Sequence, residues 1–164
     1  MTESDPGSGP RLFLMCGLPG AGKTTRAKEL EKEHHAVRLT PDDWLLAIHL
    51  PDWTREDHDA LRTPLETLQW SVAKRLLELG INVIIDWGLW GRDERDERDE
   101  LRKQAKKFGA RVEVVFLDPP RDMLLERLAA RRVGQSDLTF CVSDEELDLW
   151  AAGMQNPTPD DLGP

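Results

Sequence analysis

The chain has 164 residues, a length that suits one domain with a hydrophobic core. Its 22 basic and 31 acidic residues give a net charge of −9, which disfavours a long nucleic acid held on a broad electropositive surface. Two cysteines are too few for a disulfide framework, and there is no long apolar run or signal-like N-terminus, so we expect a cytoplasmic protein without a membrane segment.

Short apolar runs alternate with longer amphipathic segments along the chain. Residues 1–10 predict a disordered leader, residues 11–153 one domain, and the Pro-rich residues 154–164 a C-terminal tail. Strands are predicted at 11–16, 36–39, 82–85 and 112–117. Helices are predicted at 23–34, 41–49, 64–79, 92–108, 120–132 and 144–152. This alternation predicts an α/β fold with a mostly parallel sheet of four or five strands, covered on both faces.

The segment after the first predicted strand has the spacing of a phosphate-binding loop. Residues 17–24 read Gly-Leu-Pro-Gly-Ala-Gly-Lys-Thr between an apolar run and a helix-forming stretch, the context that this motif requires. Backbone N–H groups of the loop would face a phosphate, Lys23 would reach the β and γ phosphates of ATP, and the Thr24 hydroxyl would ligate Mg²⁺. The predicted nucleotide-binding residues are Gly17, Leu18, Pro19, Gly20, Ala21, Gly22, Lys23, Thr24 and Thr25.

Two acidic residues follow the second predicted strand, in the run Thr40-Pro41-Asp42-Asp43-Trp44. Ligands of parallel sheets bind at the carboxyl ends of the strands, so these acids are candidate site residues. Thr40, Pro41 and Asp43 make a good helix start, which explains one of the acids by capping. Asp42 is predicted to accept the proton of an acceptor hydroxyl or to position it for attack on the γ phosphate. Asp43 is a second candidate for the acceptor site, with capping as its alternative role.

The third predicted strand is followed by Asp86, the pattern of a Walker B strand whose carboxylate holds Mg²⁺ directly or through water. Trp87 and Trp90 come next, and Trp44 follows the preceding strand. These three indoles predict an aromatic wall for an organic acceptor, with ordinary packing onto the core as the equal alternative.

Arginines in two later helices are candidate anion contacts. Arg92 and Arg95 belong to a run of mixed charge at residues 92–100, most of which a solvated helix face explains. Only these two arginines are candidates for contact with an anion of the substrate. Arg127 and Arg131 share a helix face and predict a lid at about 127–142 that neutralises charge on the transferring phosphoryl group. For Arg131, interaction with the helix dipole is the alternative.

With these motifs the chain resembles the compact P-loop kinases, the group of polynucleotide kinases, zeta toxins and chloramphenicol phosphotransferase, and in particular a bacterial branch of AAA-type ATP-binding kinases. The similar segments are 17–24, 38–44, 83–95 and 126–132. The resemblance implies a three-layer P-loop NTPase sandwich with a small helical lid, and ATP and Mg²⁺ as cofactors. It implies the acceptor-activating acid at Asp42, the acid of the third strand at Asp86, and lid arginines at Arg127 and Arg131. Unlike polynucleotide kinases, the chain has no basic residue within one helical turn after Asp43.

These features favour an ATP-dependent phosphotransferase that acts on a hydroxyl of a small molecule, as a monomer or weak dimer. The sequence lacks the Asn-Lys-x-Asp guanine motif, which favours ATP over GTP. A 5′-hydroxyl polynucleotide kinase is the alternative within enzymes. A non-catalytic nucleotide-binding switch is the alternative from another class.

Overall fold

A computed structural model describes residues 9–48, 53–89, 94–134, 142–159 and 162. Within this part the strands are β1 Arg11–Cys16, β2 Val37–Leu39, β3 Val83–Gly88 and β4 Arg111–Phe116. The helices are α1 Lys23–His34, α2 Pro41–Ile48, α3 Arg55–Glu78, α4 Glu94–Lys106, α5 Arg121–Gly134 and α6 Asp144–Gly153. These bounds agree with the predicted alternation of strands and helices.

The four strands form one parallel sheet in the order β2-β3-β1-β4. Successive side chains of a strand point to opposite faces. In β1, Leu14 packs with Trp70 of α3 and Leu101 of α4, whereas Phe13 packs with Leu30 of α1 on the other face. Helices therefore cover both faces, and the predicted α/β sandwich is confirmed.

Two element boundaries differ from the sequence predictions by more than two residues. Helix α3 begins at Arg55 rather than at residue 64, because Thr54 and Asp57 form a capping box ahead of it and Pro64 lies inside the helix. Strand β3 continues to Gly88, so Asp86 lies within the strand rather than after it. Helix α3 is thus longer than predicted at its start, and β3 is longer than predicted at its end.

Both ends of the described chain contact the body of the fold. The carbonyl of Pro10 accepts a hydrogen bond from Arg111 N at 2.8 Å, beside the start of β4. After α6, Met154 packs against an apolar cluster that includes Leu147, and the carbonyl of Gln155 accepts a hydrogen bond from Arg98 at 3.1 Å. The first part of the predicted tail is thus packed against the domain. Among the described residues, no helix has the length and apolar character that a membrane span requires.

Candidate functional site

The phosphate loop, residues 17–24, joins β1 to α1 at the carboxyl edge of the sheet. Gly22 precedes α1 with a left-handed φ of 95°, a conformation that favours glycine, and gives the helix no side-chain cap. The first turn of α1 contains no acidic residue, so its N–H groups and positive dipole end are left for an anion. Leu18 and Ala21 are buried in a cluster with Leu147 of α6, which anchors the loop.

Lys23, the first residue of α1, is folded onto the loop. Its Nζ donates a hydrogen bond to the carbonyl of Leu18 at 2.9 Å. Burial lowers the pKa of the ammonium from 10.5 to about 8, although the negative charge of Asp86 opposes this effect; Arg131 adds to it and Asp42 opposes it more weakly. The charges of Asp86, Arg131 and Asp42 therefore all act on the Lys23 ammonium. This desolvated cation lies where the motif predicts a phosphate contact.

Above about pH 8, we expect the protein to take up a proton at Lys23 when it binds a nucleotide. The folded pKa of Lys23 lies below its unfolded value, so above about 8 the free folded protein has lost the proton that a phosphate contact needs. A bound triphosphate raises this pKa again, and affinity therefore falls as the pH rises through about 8. Calorimetry at about pH 8.5 in two buffers of different ionisation enthalpy measures the uptake. Equal binding heats in both buffers would contradict this assignment.

Asp86 is buried in β3, next to the loop. Its Oδ2 accepts hydrogen bonds from the hydroxyls of Thr24 at 2.9 Å and Thr40 at 3.1 Å, and Arg38 Nη1 lies 4.0 Å away. Burial raises the pKa of this carboxyl above its ordinary value, and the two hydroxyls and Lys23 lower it in part. The structure thus brings together the two side chains that were predicted as metal ligands, Thr24 and Asp86.

Thr24 and Asp86 offer the donors that Mg²⁺ takes from P-loop proteins, a hydroxyl and a carboxylate oxygen. At nucleotide sites Mg²⁺ is bound through one or two carboxylates together with substrate phosphates and water, rather than in a cage made of protein alone. The described part of the chain contains no cluster of three or more His, Cys, Asp or Glu side chains that could hold a metal. The residues therefore fit a Mg²⁺ ion that arrives with a nucleotide.

The two acids of α2 have different surroundings. Asp43 pairs with Arg38 Nη1 at 2.8 Å, whereas the side chain of Asp42 is 70% exposed and contacts Arg62 Nη1 at 3.2 Å. Thr40, which was predicted to cap α2, donates its hydroxyl hydrogen to Asp86. Asp42 follows β2, and Asp86 lies near the end of β3. Because β2 and β3 are neighbouring parallel strands, the two acids are at the same edge of the sheet. Asp42 is the more exposed of the two acids, at 70% against 51% for Asp43.

Arg38 and Arg62 were missed by the sequence analysis. Arg38 donates a hydrogen bond to Thr40 Oγ1, and the two-residue spacing in an extended segment is the signal that could have found it. Arg62 of α3 contacts Asp42 and also donates from Nη2 to the carbonyl of Trp87 at 2.9 Å. The basic residue that is absent from the turn after Asp43 is thus supplied from another helix, and no local pattern indicates it.

Arg127 and Arg131 of α5 lie beside the loop. Arg127 Nη1 donates to the carbonyls of Gly20 at 3.2 Å and Ala21 at 3.1 Å, so this guanidinium holds the outside of the loop. Both arginines line an open cavity of about 470 Å³, within the size range of small-ligand pockets. Its other lining residues are Gly20, Ala21, Gly22, Thr25, Arg26, Glu29, Leu117 and Ala130. The cavity adjoins the phosphate loop and extends along α1 and α5.

The predicted aromatic wall is wrong for Trp87. This residue is 6% exposed and its Nε1 donates a hydrogen bond to Gln69 Oε1 at 2.8 Å. The physical reason is that β3 is a central strand covered on both faces, so each of its side chains is buried. Trp44 is partly buried and packs against the main core. Packing, the alternative interpretation, therefore accounts for Trp87, and the role of Trp44 in an acceptor site stays a prediction.

Several predicted positions lie outside the described residues. They are Trp90, Arg92, the side chain of Arg95, and residues 135–141 of the predicted lid. Their predicted roles stay predictions.

The sequence matches a family model, AAA_33, described as an AAA domain, over residues 12–157. A comparison with curated proteins found no significant match.

Solved structures share the fold at low sequence identity. A candidate kinase from Chloroflexus aurantiacus has a TM-score of 0.72 and 19% identity, over 93% of this chain and 81% of that chain. Kti12 from Chaetomium thermophilum, in complex with ADP-AlF3, has a TM-score of 0.66 and 17% identity, over 91% and 82%. A sugar kinase from a Janibacter species has a TM-score of 0.61 and 22% identity, over 93% and 82%. Because the family model covers most of the sequence, the chain belongs to the AAA_33 family, and its fold is that of the P-loop kinase-like nucleotide-binding proteins.

Proposed function

We propose that the chain is an ATP-dependent phosphotransferase that moves the γ-phosphoryl group of ATP, bound with Mg²⁺, to a hydroxyl group of a small-molecule acceptor. The observation that carries this proposal is a pair of carboxylates in contrasting environments at one sheet edge. Asp86 is buried and held by two hydroxyls, whereas Asp42 is exposed at the start of α2. A buried acid suits metal support, and an exposed acid near Lys23 suits an acceptor hydroxyl.

The loop and Lys23 would bind the triphosphate. The uncapped N–H groups at the start of α1 would donate to phosphate oxygens, and the Lys23 ammonium would exchange its hydrogen bond to Leu18 for contacts with the β and γ phosphates. Arg127 keeps the loop in shape through the carbonyls of Gly20 and Ala21. Arg131 would add positive charge near the γ phosphate, in line with its influence on the Lys23 ammonium.

Thr24 and Asp86 would hold Mg²⁺, which supplies charge neutralisation for the β and γ phosphates. The protein contributes the position of these two ligands. Thr40 donates to the same carboxylate oxygen as Thr24 and so fixes the orientation of Asp86.

Asp42 would act on the acceptor. Its carboxylate takes the proton of the acceptor hydroxyl while the hydroxyl oxygen forms a bond to the γ phosphorus, and the bond from that phosphorus to the β–γ bridging oxygen of ATP breaks. Arg62 contacts Asp42 Oδ1 at 3.2 Å and is itself held by the carbonyl of Trp87. This arrangement orients the Asp42 carboxylate from the side of β3.

The net charge of −9 supports a small acceptor rather than a long polyanion. The structural likeness to a Janibacter sugar kinase favours a polyol or sugar as the first compounds to test. A monomer or weak dimer is sufficient for this proposal, because the acids, the loop and the arginines all come from one chain.

Transfer of radiolabel from [γ-³²P]ATP into a panel of sugars, nucleosides and antibiotics tests the proposal. We expect a labelled product in the presence of Mg²⁺ with the wild-type chain, and none with Lys23→Ala. Oligonucleotide-dependent transfer that falls steeply with salt would instead indicate a 5′-hydroxyl polynucleotide kinase. Tight ATP binding without transfer to any tested hydroxyl, unchanged by Asp42→Asn, would indicate a nucleotide-binding switch.

A further inference from the structure

Arg98 of α4 is the largest side chain in the described part of the chain that is fully buried. It belongs to the run of mixed charge at residues 92–100, for which a solvated helix face is predicted, and its burial contradicts that prediction at this position. No carboxylate of the described residues lies within ion-pair distance of its guanidinium, and its buried Nε has no hydrogen-bond partner there. Burying a cation without an ion pair is costly, and an apolar side chain of similar volume would often serve stability as well.

The guanidinium joins two segments that are distant in sequence. Nη1 donates to the carbonyl of Leu89 and lies 3.8 Å from Cys16 Sγ, and Nη2 donates to the carbonyl of Gln155 at 3.1 Å. Leu89 is the residue after β3, and Gln155 is in the segment after α6. The planar guanidinium of Arg98 thus links the end of β3 to the segment after α6.

Leu89 is held in an unfavourable backbone conformation at this contact. Its φ is 45°, in the left-handed region that leucine rarely adopts, and the residue is almost fully buried. Its carbonyl also accepts a hydrogen bond from the Cys16 thiol at 3.0 Å. Such conformations persist where the surrounding contacts determine them, and they concentrate at functional sites.

These contacts are next to the first residue of the phosphate loop. Cys16 is the last residue of β1, and the next residue, Gly17, donates from its N–H to the carbonyl of Gly88 at 3.0 Å. The backbone turn at Gly88 and Leu89 therefore sets where the loop begins. A change at Arg98 would be passed on to the loop through Leu89.

We propose that Arg98 is a positioning residue for nucleotide binding, which fixes the start of the phosphate loop by fastening Leu89 to the C-terminal segment at Gln155. The segment after α6 is then part of the nucleotide-site scaffold rather than a loose end. The inference rests on the nucleotide site of the proposed function but not on phosphoryl transfer. Its test measures binding, so a chain that binds ATP and transfers nothing would refute the proposed function and leave this inference standing.

The test compares Arg98→Met and Arg98→Lys with the wild-type chain and with the control Lys103→Met, an exposed position on the same helix. Each protein is checked for folding, and its affinity for ATP in excess Mg²⁺ is measured by calorimetry. We expect Arg98→Met to weaken binding about tenfold, in the range known for changes that act through a contact network. Arg98→Lys should lie closer to the methionine variant than to wild type, because one ammonium cannot span both carbonyls. The Lys103 variant should bind as wild type does.

Hydrogen exchange supplies the second measurement. In wild type, saturation with MgATP should slow exchange in the peptide that covers residues 151–159, whereas in Arg98→Met it should leave that peptide unchanged. A purely structural role predicts something else: a lower unfolding midpoint with wild-type affinity of the folded protein. That result, or wild-type affinity and tail protection in Arg98→Lys, would overturn the proposal. If the methionine variant does not fold, the lysine variant decides the outcome.

Discussion

Replacing Lys23 by methionine is expected to weaken ATP binding by about 100-fold or more and to stabilise the nucleotide-free protein at neutral pH. The first effect follows because the triphosphate loses a desolvated cationic partner, a change that costs about 2 to 5 kcal/mol or more. The second follows because burial lowers the pKa of the Lys23 ammonium to about 8, which corresponds to an upper limit of about 3 kcal/mol of folding free energy. The lost hydrogen bond to Leu18 offsets about 1 kcal/mol of this gain.

The sign of the pH effect follows from the same pKa. The folded value lies below the unfolded value of 10.5, so the penalty of the buried charge is complete below about pH 8 and is relieved as the pH rises from 8 to 10.5. The free energy of unfolding of the wild type should therefore increase between pH 8 and 10.5 by an amount that the methionine variant does not show. Denaturant unfolding at several pH values measures it. Lys28→Met, at an exposed position of the same helix, is the matched control and should change neither property.

The assignment of Lys23 would be contradicted by one outcome in particular. Suppose that Lys23→Met lowered both the affinity for ATP and the stability of the nucleotide-free protein. The ammonium would then be a structural group that stabilises the free protein, rather than a buried charge without a sufficient partner until phosphate binds.

Replacing Asp42 by asparagine is expected to leave ATP affinity within about twofold of wild type and to lower the rate of phosphoryl transfer by about 10² to 10⁴-fold, the usual contribution of a general base. The physical reason for this separation is that Asp42 is exposed and its charge is a minor influence on the Lys23 ammonium. Asp42 contacts Arg62 at the rim, whereas the loop is held by Lys23, Arg127 and buried apolar side chains. Calorimetry with MgATP and the radiolabel assay measure the two quantities separately.

Asp43→Asn is the matched control for Asp42. It removes the same charge from the same helical turn. Asp43 is engaged by Arg38 in an ion pair, and the loss of such a pair usually costs little, so the effect of this variant on transfer should be much smaller. Equal losses in both variants would show that the charge of the turn matters rather than a base at Asp42. A parallel loss of ATP affinity in Asp42→Asn would place this residue in nucleotide binding.

The sequence was sufficient for the elements that have strong local signals. Strand β1 and helix α1 agree with the predicted bounds, because an apolar run, a glycine-rich loop and a helix-forming stretch follow each other there. The predicted start of α3 at residue 64 is too late, because Pro64 lies inside the helix and the capping box at Thr54 carries Asp57 rather than the more familiar Glu or Gln.

The site was predictable where side chains follow strand ends, and not where they come from distant segments. The sheet brings Thr24 to Asp86 across 62 residues, and strand order explains that meeting. Arg62 and Arg98 act through contacts with backbone carbonyls of residues elsewhere in the fold, and such contacts leave no trace in spacing or hydropathy. Trp87 follows an acid at a strand end, yet the strand continues and buries it.

Thermal unfolding of the purified chain with ATP, ADP or AMP in excess Mg²⁺ tests whether residues 17–24 bind a nucleoside triphosphate. A ligand at about 100 times its dissociation constant stabilises the folded state by about 2.7 kcal/mol. We expect a concentration-dependent rise in the unfolding midpoint for ATP and a smaller rise for AMP. In Lys23→Met, whose affinity is lower by about 100-fold or more, ATP should cause a much smaller rise than in wild type. An unfolding midpoint that none of the three nucleotides changes in the wild-type chain would contradict nucleotide binding at this loop.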